Sequence, residues 1–433
     1  MFKRLFFFII CITFALLSSA IPAKPGLVKY EQPDGTFVSV RIIGDEYSHF
    51  YLTEDDYPLT EKNDTLFFAF SNHENQILAS NYPAVNIHER TDECINYLNS
   101  LNKEGIIELI KEKHSKLLIK NIRRQAALNS GRFPDAKFPT FGKIKAIVLL
   151  VEFQDITFRS DYDPQDYFTR LLNESGFSEL GASGSASDYF RENSTNLFQP
   201  EFDVVGPITL SKPETFYGYN GIDVIDKNAG LMIVDACKVI DSKIDFSIYD
   251  CDNDGYIDNI FVFYAGKGEA SGGSPTTIWP HSSDVKYFTQ EKIILDGKIL
   301  GRYACSNEIM DNKPDGIGTF VHEFSHVLGL PDLYATEYTG AFTPGSWDLM
   351  DYGSYNNNSR TPPLLSTFER YALGWISPSS PVYGENIINA MSSGGEGKIV
   401  KINENEYFFL ETRIKSGWDS YVPGEGLLVW HVN

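Results

Sequence analysis

The sequence predicts an α+β fold: a mixed sheet around a buried helix, with a β-rich unit before it and a short β segment after it. Three observations predict this. Ala146–Val151 and Ile260–Tyr264 are continuous apolar runs, as in strands covered on both faces. Helical spacing of apolar residues follows near 185–193, 228–241 and 316–329. Shorter alternating stretches with turn signals occupy the flanks, such as Thr36–Val40 after Gln32-Pro33-Asp34-Gly35.

Composition sets the frame. The chain of 433 residues is 42% hydrophobic and 14% aromatic, enough to bury cores, and its length suits two or three domains. It carries 37 Lys+Arg against 58 Asp+Glu, a formal charge of −21. That balance excludes a nucleic-acid binder, which needs clustered cations against phosphate. Most of the acidity sits in 136–433, with 22 basic and 41 acidic side chains.

Taken in order, residues 1–20 read as a signal peptide: Lys3 and Arg4, an apolar run Leu5–Leu17, then Ser18-Ser19-Ala20. The run is too short to span a bilayer, and no later stretch does so. The expected location is therefore secreted, cell-surface or periplasmic. Residues 21–135 form a second unit, strands first and then a basic amphipathic helix over 103–128, where Ile106, Ile107, Leu109, Ile110, Leu117, Leu118 and Ile119 are interleaved with lysines and arginines. A solvated helix face explains those lysines more simply than a membrane surface does. Asn129–Phe138 lacks periodicity and reads as a linker. Residues 136–380 form the third unit. The tail 381–433 reads as strands and ends on an apolar run without a closing turn, so continuation of the chain is expected. Cys94, Cys237, Cys251 and Cys305 remain after the signal, in no metal-knuckle spacing.

The strongest chemical signal is His322-Glu323-Phe324-Ser325-His326-Val327-Leu328-Gly329-Leu330-Pro331-Asp332. Residues four apart share a helix face, so His322 and His326 can reach one ion, with Glu323 at its edge as a base for a water. Gly329 suits a left-handed helix stop, and the turn can return Asp332 as a third ligand. Three protein ligands with an open fourth position mark a catalytic zinc site. Asp348 and Asp351 are rival third ligands. Phe320, Val321, Phe324, Val327 and Leu328 make this helix apolar nearly all round, hence buried.

The spacing HExxHxxGxxD matches the metzincin pattern with Asp for the third His, and Met350 in Ser346–Gly353 suits the Met-turn. Tyr352 is a candidate oxyanion donor. A second loop, Asp250-Cys251-Asp252-Asn253-Asp254-Gly255-Tyr256-Ile257-Asp258, places Asp250, Asp252, Asp254 and Asp258 and the Tyr256 carbonyl as in an EF-hand calcium loop. Phe261 stands where that loop has its bidentate Glu, so a calcium ion here needs another closing group.

Beyond these motifs the chain resembles the immune inhibitor A-type metallopeptidases of secreted bacterial proteins. The resemblance rests on Gly184–Phe190, Phe202–Pro207, Trp279-Pro280-His281 and Gly318–Trp375. It implies a metzincin-like zinc endopeptidase made as a zymogen, acting on protein or peptide substrates. It also implies His322, His326 and Asp332 as ligands, Glu323 as general base, and residues 21–135 as a propeptide acting as intramolecular inhibitor. Cys94 or a propeptide Asp is a candidate for blocking the metal. An edge strand near Tyr303–Ser306 would align the substrate, and His281 is either structural or substrate-facing. The rival readings are a calcium-dependent surface binding or adhesion protein on a degenerate protease fold, and a zinc hydrolase of non-peptide bonds.

Overall fold

The computed structural model describes residues 19–46, 48–117, 132, 136–221, 225–335, 342–403 and 406–432. The expected signal peptide lies outside the described residues except for Ser19 and Ala20, and most of the linker lies outside them too.

One sheet organises the central unit. Its strands are β1 (Ser19–Ala20), β2 (Gly142–Glu152), β3 (Phe198–Thr209), β4 (Ile260–Lys267), β5 (His281–Asp284) and β6 (Arg302–Met310). Their spatial order is β1-β5-β6-β4-β2-β3, with Lys313–Pro314 paired beside β6. Strands β6, β4, β2 and β3 are parallel, while β5 and β1 run antiparallel at one edge. The two apolar runs are the neighbours β2 and β4, in register from Ile147 with Ile260 to Val151 with Tyr264.

Alternation along these strands builds two cores. Val148, Leu150, Phe261 and Phe263 enter one core, with α1 (Pro164–Asn173), α2 (Ala186–Asn193) and, later in the chain, the histidine-bearing helix. Ile147, Leu149, Ile260 and Val262 enter the other, under α3 (Ala229–Ile240). The histidine-bearing helix is α4 (Gly318–Leu328), every residue of which is buried. Aromatic contacts pin it to the sheet: Phe320 lies 4.4 Å from Phe261 and Phe324 lies 5.4 Å from Phe202. Each such pair adds about 0.5–1.5 kcal/mol beyond its buried area.

The segment 21–117 is a six-stranded antiparallel meander, Val28–Glu31 through Ile77–Pro83, followed by helices Asp92–Asn99 and Lys103–Leu117. Ile106 and Ile110 of the second helix pack on Phe50, Leu52 and Ala69 of that meander. Its apolar face is thus covered by its own unit, which favours the ordinary helix over the membrane-surface reading. Among the described residues no helix is long and apolar enough to cross a membrane. Cys94, Cys237, Cys251 and Cys305 are all free thiols.

The tail forms a three-stranded antiparallel sheet of β7 (Lys398–Lys401), β8 (Tyr407–Arg413) and β9 (Gly426–Val432). It is joined to the central unit. Trp418 enters the α4 core and meets Tyr189 edge-on at 5.1 Å. Arg413, fully buried, holds Glu411 and Asp419 at 2.8 Å each and donates to the Leu364 carbonyl at 2.9 Å. Asp419 accepts from Leu364 N at 3.0 Å and Glu411 from Thr367 N at 2.7 Å, so the cluster staples the tail to the segment entering the helix at 367–372.

Removing one partner of a buried ionic cluster strands the others. Arg413→Ala is expected to cost about 3–5 kcal/mol, measured as a lowered denaturation midpoint, whereas substitution of the exposed Lys415 leaves it unchanged.

Candidate active site

Helix α4 carries the site because its length and spacing put His322 and His326 one turn apart on one face. Their Nε2 atoms stand 3.2 Å apart. Gly329 caps the helix in the left-handed region, at φ 103°, with Gly329 N donating to His326 O and Leu330 N to Ser325 O. Arg132 supports that end, donating from Nε to the Leu328 carbonyl at 2.6 Å. A cation at a helix C-terminus is favourable, and a side chain at 329 would collide with it.

The turn returns Asp332 as the spacing predicts. Its Oδ1 lies 3.4 Å from His322 Nε2 and 3.1 Å from His326 Nε2. Three donor atoms with edges of 3.1–3.4 Å fit one face of a zinc tetrahedron, whose edge is about 3.3 Å for bonds of about 2.0–2.1 Å. The outer nitrogens are spoken for: His322 Nδ1 meets the Leu349 carbonyl and His326 Nδ1 the Leu330 carbonyl, both at 2.8 Å. That pattern leaves the Nε2 lone pairs for a metal. Burial pushes the His326 pKa down, partly offset by Asp332. Burial would raise the Asp332 carboxyl, but His326 and His322 outweigh it and hold its pKa at about 2. Neutral imidazole and ionised carboxylate are the forms that bind a cation. The residues present therefore fit zinc.

Asp348 and Asp351 do not join this triangle. Asp348 Oδ1 accepts from Met350 N at 2.8 Å, and Asp351 Oδ1 from Tyr352 N at 2.8 Å. Both carboxylates shape the turn beneath the metal position. Met350 is fully buried there, and its carbonyl accepts from Leu333 N at 2.8 Å.

Glu323 is fully buried beside the triangle, and burial followed by the Asp332 charge pushes its pKa well up. Its Oε1 accepts from the backbone N of Ile21 at 2.8 Å. Residues 19–23 in fact lie across the site. Ser19 and Ala20 pair with Ser282 and His281 at the sheet edge. The Ala20 carbonyl accepts from Tyr334 OH at 2.7 Å, the Ile21 carbonyl from Trp279 Nε1 at 2.9 Å and the Pro22 carbonyl from Tyr355 OH at 2.7 Å.

Several expectations shift here. The strand near 303–306 is β6, which is interior; the edge that takes an added strand is β5. Only topology reveals this, since both strands are largely buried. His281 on β5 is structural: Nδ1 meets the Trp279 carbonyl at 2.6 Å, Nε2 meets Tyr303 OH at 2.7 Å, and burial lowers its pKa to about 4. Tyr352 is 36% exposed, and the tyrosines that bond the cleft strand are Tyr334 and Tyr355. Tyr334 was discoverable, because the turn that returns Asp332 returns its second neighbour too. Cys94 is buried among the apolar side chains of the 21–117 unit, not with the metal donors.

At the acidic loop, Asp250, Asp252 and Asp254 converge. Asp250 also holds Lys298 Nζ at 2.6 Å, and Asp258 turns back to accept from Cys251 N at 2.9 Å. Tyr256 projects outward, and the backbone beside it pairs with Ile299. Burial raises the Asp258 pKa to about 6.

The catalytic-domain model of the immune inhibitor A peptidases, M6, matches residues 139–376, more than half of the chain. The pre-pro-metalloprotease PrtV of Vibrio cholerae serotype O1 is 28% identical over 251 residues, 49% of this chain and 27% of that protein. Immune inhibitor A of Bacillus thuringiensis subsp. alesti is 28% identical over 254 residues, 49% of this chain and 36% of that protein. The match thus spans about a third or less of either relative. The family model covers β2 through α4 and the turn at Met350, the elements that assemble the triangle and seat Glu323. The chain belongs to the immune inhibitor A peptidase family M6.

Proposed function

We propose that this protein is a zinc endopeptidase made as a zymogen. The observation that carries the reading is the position of the Ala20–Ile21 peptide bond. Its nitrogen lies on Glu323 and its carbonyl on Tyr334, beside three donors spaced for zinc. A peptide bond is thereby presented as a substrate would be.

His322, His326 and Asp332 would hold the ion, which when bound polarises a carbonyl and makes a water more acidic. Glu323 takes the attacking water's proton on Oε2, which has no hydrogen-bond partner among the described residues. It then returns the proton to the departing amide nitrogen, the atom it already faces in Ile21. Tyr334 OH donates to the carbonyl oxygen as charge develops there. Substrate is aligned by strand addition to β5, as β1 is. The metzincin pattern enters through Met350, whose turn carries the Leu349 carbonyl that orients His322.

Residues 21–23, the start of the inhibitory propeptide 21–135, account for latency by occupying the cleft beside Glu323. Loss of residues 1–20 by signal cleavage would turn the Ile21 nitrogen into an α-amine facing Glu323, an ion pair in place of an amide contact. Export follows from the same reading of residues 1–20. A structural calcium in the Asp250 loop belongs to this proposal, with Asp250, Asp252 and Asp254 as its nearest carboxylates. The intact donor triangle and catalytic Glu do not favour a degenerate, purely adhesive protein.

The processed protein should digest casein and be silenced by phenanthroline. Glu323→Ala should keep zinc by metal analysis and lose about 10²–10⁴-fold in rate; retained cleavage overturns the assignment. Tyr334→Phe should lower kcat about 10²-fold with KM little changed, and Tyr352→Phe should have less effect. Steady-state kinetics on one peptide separates the two tyrosines.

The calcium reading predicts a pH dependence. Asp258 binds its proton more tightly folded than unfolded, so without calcium the fold loses stability as pH rises through about 6. Calcium offsets the charge that appears there. Calcium should therefore raise Tm more at pH 7.5 than at pH 5, by about 2–4 °C per kcal/mol. Equal Tm values with calcium and with EGTA at pH 7.5 remove the ion from the proposal.

A further inference from the structure

Beside the metal centre lies a second built feature. Glu269, fully buried, follows β4, and its Oε1 meets His49 Nε2 at 2.8 Å and accepts from Tyr51 OH at 3.4 Å. The His49 ring leans on Trp279, with centroids 4.8 Å apart at 32°. His49 and Tyr51 belong to the propeptide strand Ser48–Thr53, whereas Glu269 and Trp279 belong to the catalytic unit. Behind them Asp226 accepts from Trp279 N at 2.8 Å.

The niche is built for positive charge. An aromatic face and a carboxylate together recognise a guanidinium, ammonium or imidazolium. Glu269 Oε2 and Asp226 Oδ1 are buried without hydrogen-bond partners among the described residues. Burial alone would lower the His49 pKa, yet the Glu269 charge and hydrogen bond, together with Asp45, offset it and leave it raised. The side chain seated there is thus held toward its cationic form.

The niche also lies along the cleft. The chain leaves Glu323 at Ile21 N, passes Trp279 at the Ile21 carbonyl, and reaches Ala270, whose carbonyl accepts from Lys24 N at 2.8 Å. Glu269 therefore flanks the path of the residues that follow the scissile bond. Departure of the propeptide removes His49 and Tyr51 and opens Glu269 to that path.

We infer that Glu269 and Trp279 form a specificity subsite that selects an Arg or Lys side chain among the first three residues after the cleaved bond. In the zymogen His49 is its occupant. The inference rests on the peptidase reading above and names the substrate class of that same site.

The test uses the processed, zinc-loaded enzyme and one peptide series with Arg, Lys, Ala or Glu at each of those three positions. At one position kcat/KM should favour Arg or Lys over Ala by about tenfold or more, the scale of a hydrogen bond to a charged group. Glu269→Gln should bring that ratio to within about twofold and leave the Ala peptide unchanged, while Glu269→Asp keeps part of the preference. Asp311→Asn, which removes the Lys24 partner at the surface, should leave it intact. A flat wild-type profile overturns the subsite and needs no variant to fold. So does a Glu269→Gln enzyme that loses Ala and Arg peptides alike, or a preference that follows Asp311. If the wild-type enzyme cleaves neither casein nor any peptide, the peptidase reading fails first, and the subsite fails with it.

Discussion

Two imidazoles and a carboxylate are held within 3.4 Å of one another inside a wholly buried helix and its returning turn. That convergence constrains everything around it. Uncompensated, such a group of polar atoms is costly in an apolar interior. The surrounding structure leaves the three donor atoms pointing at one place while satisfying the outer imidazole nitrogens. Leu349 and Leu330 carbonyls take the outer imidazole nitrogens, Gly329 permits the turn, and Arg132 closes the helix end. Phenylalanines from β3 and β4 fix the helix from beneath.

The same centre organises the cleft. Because β5 is an edge strand running antiparallel to its neighbour, it can accept one more strand, and Ser19–Ala20 takes that place. The backbone of the inserted segment is read by Trp279, Tyr334 and Tyr355, whose polar tips all donate to successive carbonyls. Backbone recognition tolerates many side chains. Selectivity then falls to niches beside the path, such as the Glu269–Trp279 pair, which carries a charge to match.

Support reaches the site from far along the chain. Arg413 and Asp419 in the tail hold the segment at Leu364, and Trp418 fills space beside Tyr189 in the core under α4. The tail thus contributes to the rigidity of the catalytic unit rather than standing apart from it.

The local signals were legible. The i, i+4 histidines, the Gly stop and the returning Asp332 are consequences of helix period and chain reversal, which depend on neighbours in sequence. The two apolar runs announced β2 and β4, and the acidic loop announced Asp250, Asp252 and Asp254. The outward position of Tyr352 and the turning back of Asp258 were not legible, since side-chain direction in a turn depends on packing. Nor was the edge of the sheet, since the partners that flank β5 and β6 come from distant parts of the chain. By itself the sequence determined that His322, His326 and Asp332 converge, because spacing on one helix and its exit turn decides which donors can meet. Only the tertiary structure decided what lies across the metal, since placing Ile21 on Glu323 closes a contact over 302 residues of chain, and no local rule carries that far.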